Sequence, residues 1–171
     1  MFNKNIKLIL AVLLIAAGIW QITDRSIGNG IFLIILSIIP IFLYFKNELI
    51  LLAFLRLRKQ DFPGAQKWLN KIKNPESALV RKQQGYYNYL NGLMLSQTNL
   101  NQAEKYFKKA IELGLSMNLD LAVAKLNLAG IAMSRRRKIE ATQLIKEVEK
   151  LDKHNMLKDQ VVMMKQQLKK I

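Results

Sequence analysis

The chain has 171 residues, 51% of them hydrophobic, and 27 Lys and Arg against 12 Asp and Glu give it a formal net charge of +15. It contains no cysteine and one histidine, which excludes disulfides, thiolate nucleophiles and cysteine-ligated zinc. The length predicts one compact domain plus an appendage.

The appendage comes first. Residues 8–20 form an apolar run, with no charge between Lys7 and Asp24. Residues 31–45 form a second, with no charge between Arg25 and Lys46. A helix needs roughly 20 apolar residues to cross a bilayer, and both windows come close to that length. Trp20 and Tyr44 stand where interfacial rings anchor a span, and flanking lysines snorkel. A cleaved signal peptide would begin with Lys4 and Lys7, but no small-x-small site follows cleanly, and a second apolar stretch comes next. Buried helices of a soluble fold are the other reading, which needs a large partner core because each run is apolar around its whole circumference rather than on one stripe. The expectation is a transmembrane helical hairpin over residues 1–46, turning through Thr23 to Gly30. Pro40 is tolerated inside such a span. Lys4 and Lys7 on one side, and Lys46, Arg56, Arg58 and Lys59 after the second span, place both termini in the cytoplasm. A bacterial inner membrane is the expected location. With only Pro40 to interrupt it, the second span is expected to run on directly into the next helix.

A 38-residue register governs the rest, residues 47–171. Ala65, Ala103 and Ala141 stand 38 apart, as do Leu52, Leu90 and Leu128, and Leu55, Leu93 and Ile131. Leu69, Phe107 and Ile145 share the period, as do Ile72, Ala110 and Val148; Gly92 and Gly130 align with Phe54. A fixed period of this size predicts stacked helical hairpins. The middle copy reads Tyr87-x-x-Leu90-Asn91-x-x-Met94, then Ala103-x-x-x-Phe107-x-x-Ala110. This pattern resembles the tetratricopeptide repeat, over roughly residues 47 to 152. The family period is about 34 residues; the four extra ones fall at Lys73 to Glu76 and Ser116 to Asp120, lengthening a connection or the next helix. The expected fold is all-α: two transmembrane helices, a three-repeat helical solenoid, and a C-terminal capping helix over residues 158–171 carrying Leu157, Val161, Met164 and Leu168 at helical spacing.

The resemblance implies a concave groove lined by the first helix of each unit, holding a peptide or a helix. By repeat position it takes Ile50, Phe54 and Leu57, then Asn88, Tyr89, Gly92 and Ser96, then Val123, Asn127, Gly130 and Ser134. Asn88 and Asn127 would bond a peptide backbone. Gly92 and Gly130 either admit a ligand backbone or serve tight helix packing. Tyr86 and Tyr89 are expected to be free to meet a partner.

From Lys46 onward lie 24 of the 27 basic residues and 11 of the 12 acidic ones, a charge of +13. Positive-inside bias, anionic lipid headgroups and an acidic partner, protein or ribosomal RNA, each account for such an excess. The sharpest cluster is Arg135, Arg136, Arg137 and Lys138, in the turn of the third repeat. Four adjacent cations repel, so the reading is either a docking patch for phosphate or carboxylate, or a solvated loop. Glu104, Glu112 and Glu140 read as acids on solvated faces. No phosphate loop, HExxH or Gly-x-Ser-x-Gly occurs, so no catalytic, cofactor or metal site is expected. The expected role is a membrane-anchored, non-enzymatic adaptor or accessory subunit with a protein partner. The alternative is a ribosome or RNA docking factor beside a translocation or insertion machine.

Overall fold

The computed structural model describes residues 4–45 and 47–170. Lys46 and Ile171, which figure in the expected flanking charge and capping helix, lie outside the described residues. The fold is all-α, with ten helices among the described residues. It divides into two compact units, Met1–Gln83 and Gln84–Ile171.

The first unit opens with α1 (Lys4–Thr23) and α2 (Ile27–Phe45), packed against each other as a hairpin. Both are long and apolar enough to cross a membrane. Most of their surface is uncovered: Val12, Leu13, Trp20, Phe32 and Ile38 are all exposed. What the two helices bury is small. A Cβ on Gly18 would lie 2.9 Å from the Gly30 carbonyl oxygen, and one on Gly30 would lie 2.6 Å from the Gly18 oxygen. Backbone therefore meets backbone at this crossing, the close approach that small residues permit between apolar helices. At the other end of the hairpin, Lys7 is buried. Its Nζ donates to the Leu43 carbonyl at 3.2 Å and pairs with Glu48.

Asn47 breaks the chain between α2 and α3 (Glu48–Arg58), so the expected continuous helix is not formed. Asn47 is extended (φ −65°, ψ 127°), and its Oδ1 accepts from the backbone N–H groups of Leu49 at 3.0 Å and Ile50 at 3.4 Å. Those N–H groups are orphans only at a helix start, where an asparagine oxygen satisfies them. Glu48 in the first turn suits the positive end of the new helix. A left-handed Gln60 (φ 59°) turns the chain into α4 (Phe62–Leu69), capped by Asp61, whose Oδ1 accepts from Gly64 N at 2.8 Å. α3 packs on α4, and Ala53, Ala65 and Leu69 are buried in this pair. Of the stretch Lys73 to Glu76, Pro75 and Glu76 open α5 (Pro75–Ala78), a single helical turn.

The unit boundary falls within α6 (Arg81–Leu95), followed by α7 (Leu100–Leu113), α8 (Asn118–Ser134), α9 (Lys138–Leu151) and α10 (Lys158–Leu168). Here the extra residues lengthen a helix: Asn118 to Asp120 form the first turn of α8. Gly114 ends α7 with φ 93°, a conformation suited to glycine. The core of this unit joins α8, α9 and α10 through Ala129, Met133, Ala141, Ile145, Val148 and Val161. All three register alanines are buried, at 1%, 0% and 0% exposure for Ala65, Ala103 and Ala141. Leu69, Phe107 and Ile145 are equally buried. The period thus marks the positions where a second helix meets its partner. Asp152, itself buried, accepts from Met156 N and Leu157 N and turns the chain into α10.

Candidate functional site

The expected groove residues are mostly engaged within the fold. In the first unit Phe54 is half-buried on α3. In the second, Tyr89 is buried rather than free, at 4% exposure. Its ring meets Tyr86 edge-on at 6.3 Å and Phe107 at 6.4 Å. Tyr86 is also held, its hydroxyl donating to Asp120 Oδ2 at 2.8 Å. Burial, then the Asp120 hydrogen bond and charge, push the Tyr86 hydroxyl up to about 12. Burial, with Asp120 behind it, raises Tyr89 as well. The expectation that these two rings wait for a partner is corrected by packing: they form the seam between α6, α7 and the start of α8.

Asn88 and Asn127 do not present idle amides. Asn88 Nδ2 donates to Gln84 O at 2.7 Å and Asn127 Nδ2 to Val123 O at 2.8 Å, each back onto its own helix. Asn88 is buried and Asn127 half-buried. For the two glycines, the packing alternative describes the geometry. A Cβ on Gly92 would come 2.9 Å from the Phe107 ring, and one on Gly130 3.3 Å from Met164 Cε on α10. Gly130 also borders a depression of about 400 Å³ with Met133, Ser134, Gln167 and Lys170.

The basic turn divides into two pairs. Glu104 on α7 is buried, not part of a solvated face. It pairs with Lys108 at 2.7 Å, with Arg137 at 3.3 Å and with Arg135. Arg135 also donates to Asn101 Oδ1, and Arg137 reaches Glu140 at 3.1 Å. The fold therefore uses Arg135 and Arg137, which lie half-buried between α7 and the α8–α9 turn, and one carboxylate offsets the repulsion expected between them. Arg136 and Lys138 are exposed, and among the described residues neither has an ion pair. Arg136 takes up a left-handed conformation (φ 57°). With Arg137, Ile139, Glu140 and Gln143 they line a shallow depression of about 580 Å³. Ile139 is 87% exposed there.

The Glu104 carboxyl is held below its usual range, first by the Lys108 hydrogen bond, against burial, with Arg137 and Arg135 adding to it. Glu147 is lowered in the same way by Lys125, which ties α8 to α9. A carboxyl depressed in the fold stabilises it fully above its unfolded value and loses that contribution as pH falls through the folded value. The unit is therefore expected to hold its urea midpoint above about pH 5 and to lose it steadily below about pH 4. Tyrosine near-ultraviolet circular dichroism reads this, and Glu104→Gln flattens the acid limb.

Glu104 and Asp120 escaped sequence reasoning. Their only local signals are an acid four residues after α7 begins and one two residues after α8 begins. Among the described residues no three His, Asp or Glu side chains gather as a metal site. Comparison with known proteins returns no matching family model, no matching curated protein and no matching solved structure.

Proposed function

We propose that the chain is a non-enzymatic, membrane-anchored adaptor or accessory subunit: α1 and α2 cross the membrane, and tetratricopeptide-like helix pairs recruit or brace a protein partner on the cytoplasmic side. One observation carries the reading. Two helices with exposed apolar surfaces are joined, in one chain, to helix pairs whose buried positions recur every 38 residues. Exposed apolar surface on that scale belongs in lipid, and stacked helix pairs serve binding. Since Tyr89, Asn88 and Gly92 are engaged internally, the contact surface is assigned to the outer faces of the repeats rather than to the inherited groove positions.

A second reading draws on Arg136 and Lys138, the exposed half of the basic turn: docking to ribosomal RNA or an acidic protein. Affinity purification of the tagged full chain from native membranes in mild detergent separates the two. A stoichiometric membrane protein that persists at high salt is expected. Ribosomal components lost at high salt would favour the second reading, and migration as a lone monomer with nothing co-purifying would sink the adaptor.

A further inference from the structure

The first helix pair departs from its copies at two register positions. Leu90 and Leu128 are buried at 1% and 6% exposure, but their counterpart Leu52 is 37% exposed. Ile131 is buried at 4%, but its counterpart Leu55 is 46% exposed. Leu51 is exposed as well. At about 100° per residue, Leu51, Leu52 and Leu55 fall in one wedge of α3 some 100° wide, with Arg58 and Lys59 at its far end. Leu49, Ile50 and Ala53 occupy the opposite, buried side. A terminal repeat that faces water carries a polar outer face; this one carries three leucines.

We infer that α3 is an interfacial helix, its leucine face set at the boundary between headgroups and acyl chains and its Arg58 and Lys59 on anionic phosphate headgroups. The inference rests on the membrane anchor proposed above. Continuity names the occupant. α3 begins at Glu48, shortly after α2 ends at Phe45, and Lys7 holds its first turn at the mouth of the hairpin through Glu48 while binding Leu43 O. From Glu48, Leu51 lies about 5 Å along the helix axis and Leu55 about 10 Å. The headgroup layer is roughly 5–8 Å deep on each side of the hydrocarbon; a helix pointing straight out would carry Leu55 past it, so all three leucines meet lipid with α3 lying along the surface. Leucines on one side with lysine and arginine beside them make up the composition of a helix lying in the interface plane. The two cations complement anionic headgroups and snorkel from the apolar face.

The absence of cysteine makes single-site labelling direct. Leu51→Cys, Leu55→Cys, Arg56→Cys and Phe42→Cys, each in the full chain, carry an environment-sensitive fluorophore in phosphatidylcholine vesicles with and without phosphatidylglycerol. Spin-labelled lipid is expected to quench positions 51 and 55 at least about twofold more than position 56, which lies off the face, with aqueous iodide showing the reverse order. Changing Arg58 and Lys59 together to Gln removes the gain that phosphatidylglycerol brings. Iodide quenching at 51 and 55 equal to that at 56 overturns the inference. So does a blue-shifted label that neither quencher reaches, which means that a second copy or a protein partner covers the face. Lipid quenching at position 42 without it at 51 and 55 refutes the interfacial helix alone. Its loss at position 42 as well refutes the anchor too.

Discussion

Phe107→Ala is expected to destabilise the Gln84–Ile171 unit by about 3–5 kcal/mol. Phe107 is fully buried, closes on the face of α6 that Gly92 leaves without a side chain, and stacks edge-on against Tyr89. Alanine would leave a ring-sized void bounded by backbone, which side chains refill poorly. Urea unfolding of the full chain, followed by tyrosine near-ultraviolet signals, reads the loss, because four of its five tyrosines stand between residues 86 and 106. Gly92→Ala tests the same seam from the other side. Its Cβ would push the ring, so the two substitutions should couple: combined, they should cost less than the sum of the two alone. An unchanged midpoint for Phe107→Ala would mean that α6 and α7 do not meet through this ring.

The second large effect is Glu104→Lys. It removes the shared acceptor of Lys108, Arg135 and Arg137 and puts a fourth cation in its place. A loss of about 3–5 kcal/mol is expected for reversing a buried partner in this way. Glu104→Gln keeps the shape and some hydrogen bonding and should cost only about 1–2 kcal/mol, because the arginines remain partly in water. Arg136→Gln with Lys138→Gln, where no ion pair is made, should stay within about 0.5 kcal/mol of the wild type. This contrast separates structure from recognition within one basic run. If the Arg136 and Lys138 variant loses a partner while its midpoint holds, the loss belongs to the surface. If Glu104→Lys unfolds no earlier than the wild type, the pairs with Arg135 and Arg137 do not hold the turn.

Periodicity made the helix pairs legible. Ala65, Ala103 and Ala141, 38 residues apart, are each buried near the start of the second helix of a pair. The two apolar helices were legible from length and lack of charge alone. Features that depend on one distant contact were hidden. Glu104 reads as a solvated acid until Arg135 and Arg137, more than thirty residues on, come round to it. Tyr89 reads as a surface ring until Phe107 lies against it. Gly92 and Gly130 admit two meanings in a sequence, and only the atoms 2.9 Å and 3.3 Å from their missing Cβ choose between them. The break at Asn47 had a readable sign, an asparagine followed by an acid. It was lost between two apolar stretches that each favour helix.

That break sets how force passes along the chain. A helix running unbroken from Ile27 to Arg58 would act as a stiff lever, and a span that tilts to fit a thinner bilayer would swing its far end through the same angle. With Asn47 extended, α2 and α3 share only a short stretch of backbone and the Lys7–Glu48 pin at the hairpin mouth. On the proposed anchoring, a change in span tilt would reach α3 through Asn47 and the Lys7–Glu48 pair rather than through a continuous helix.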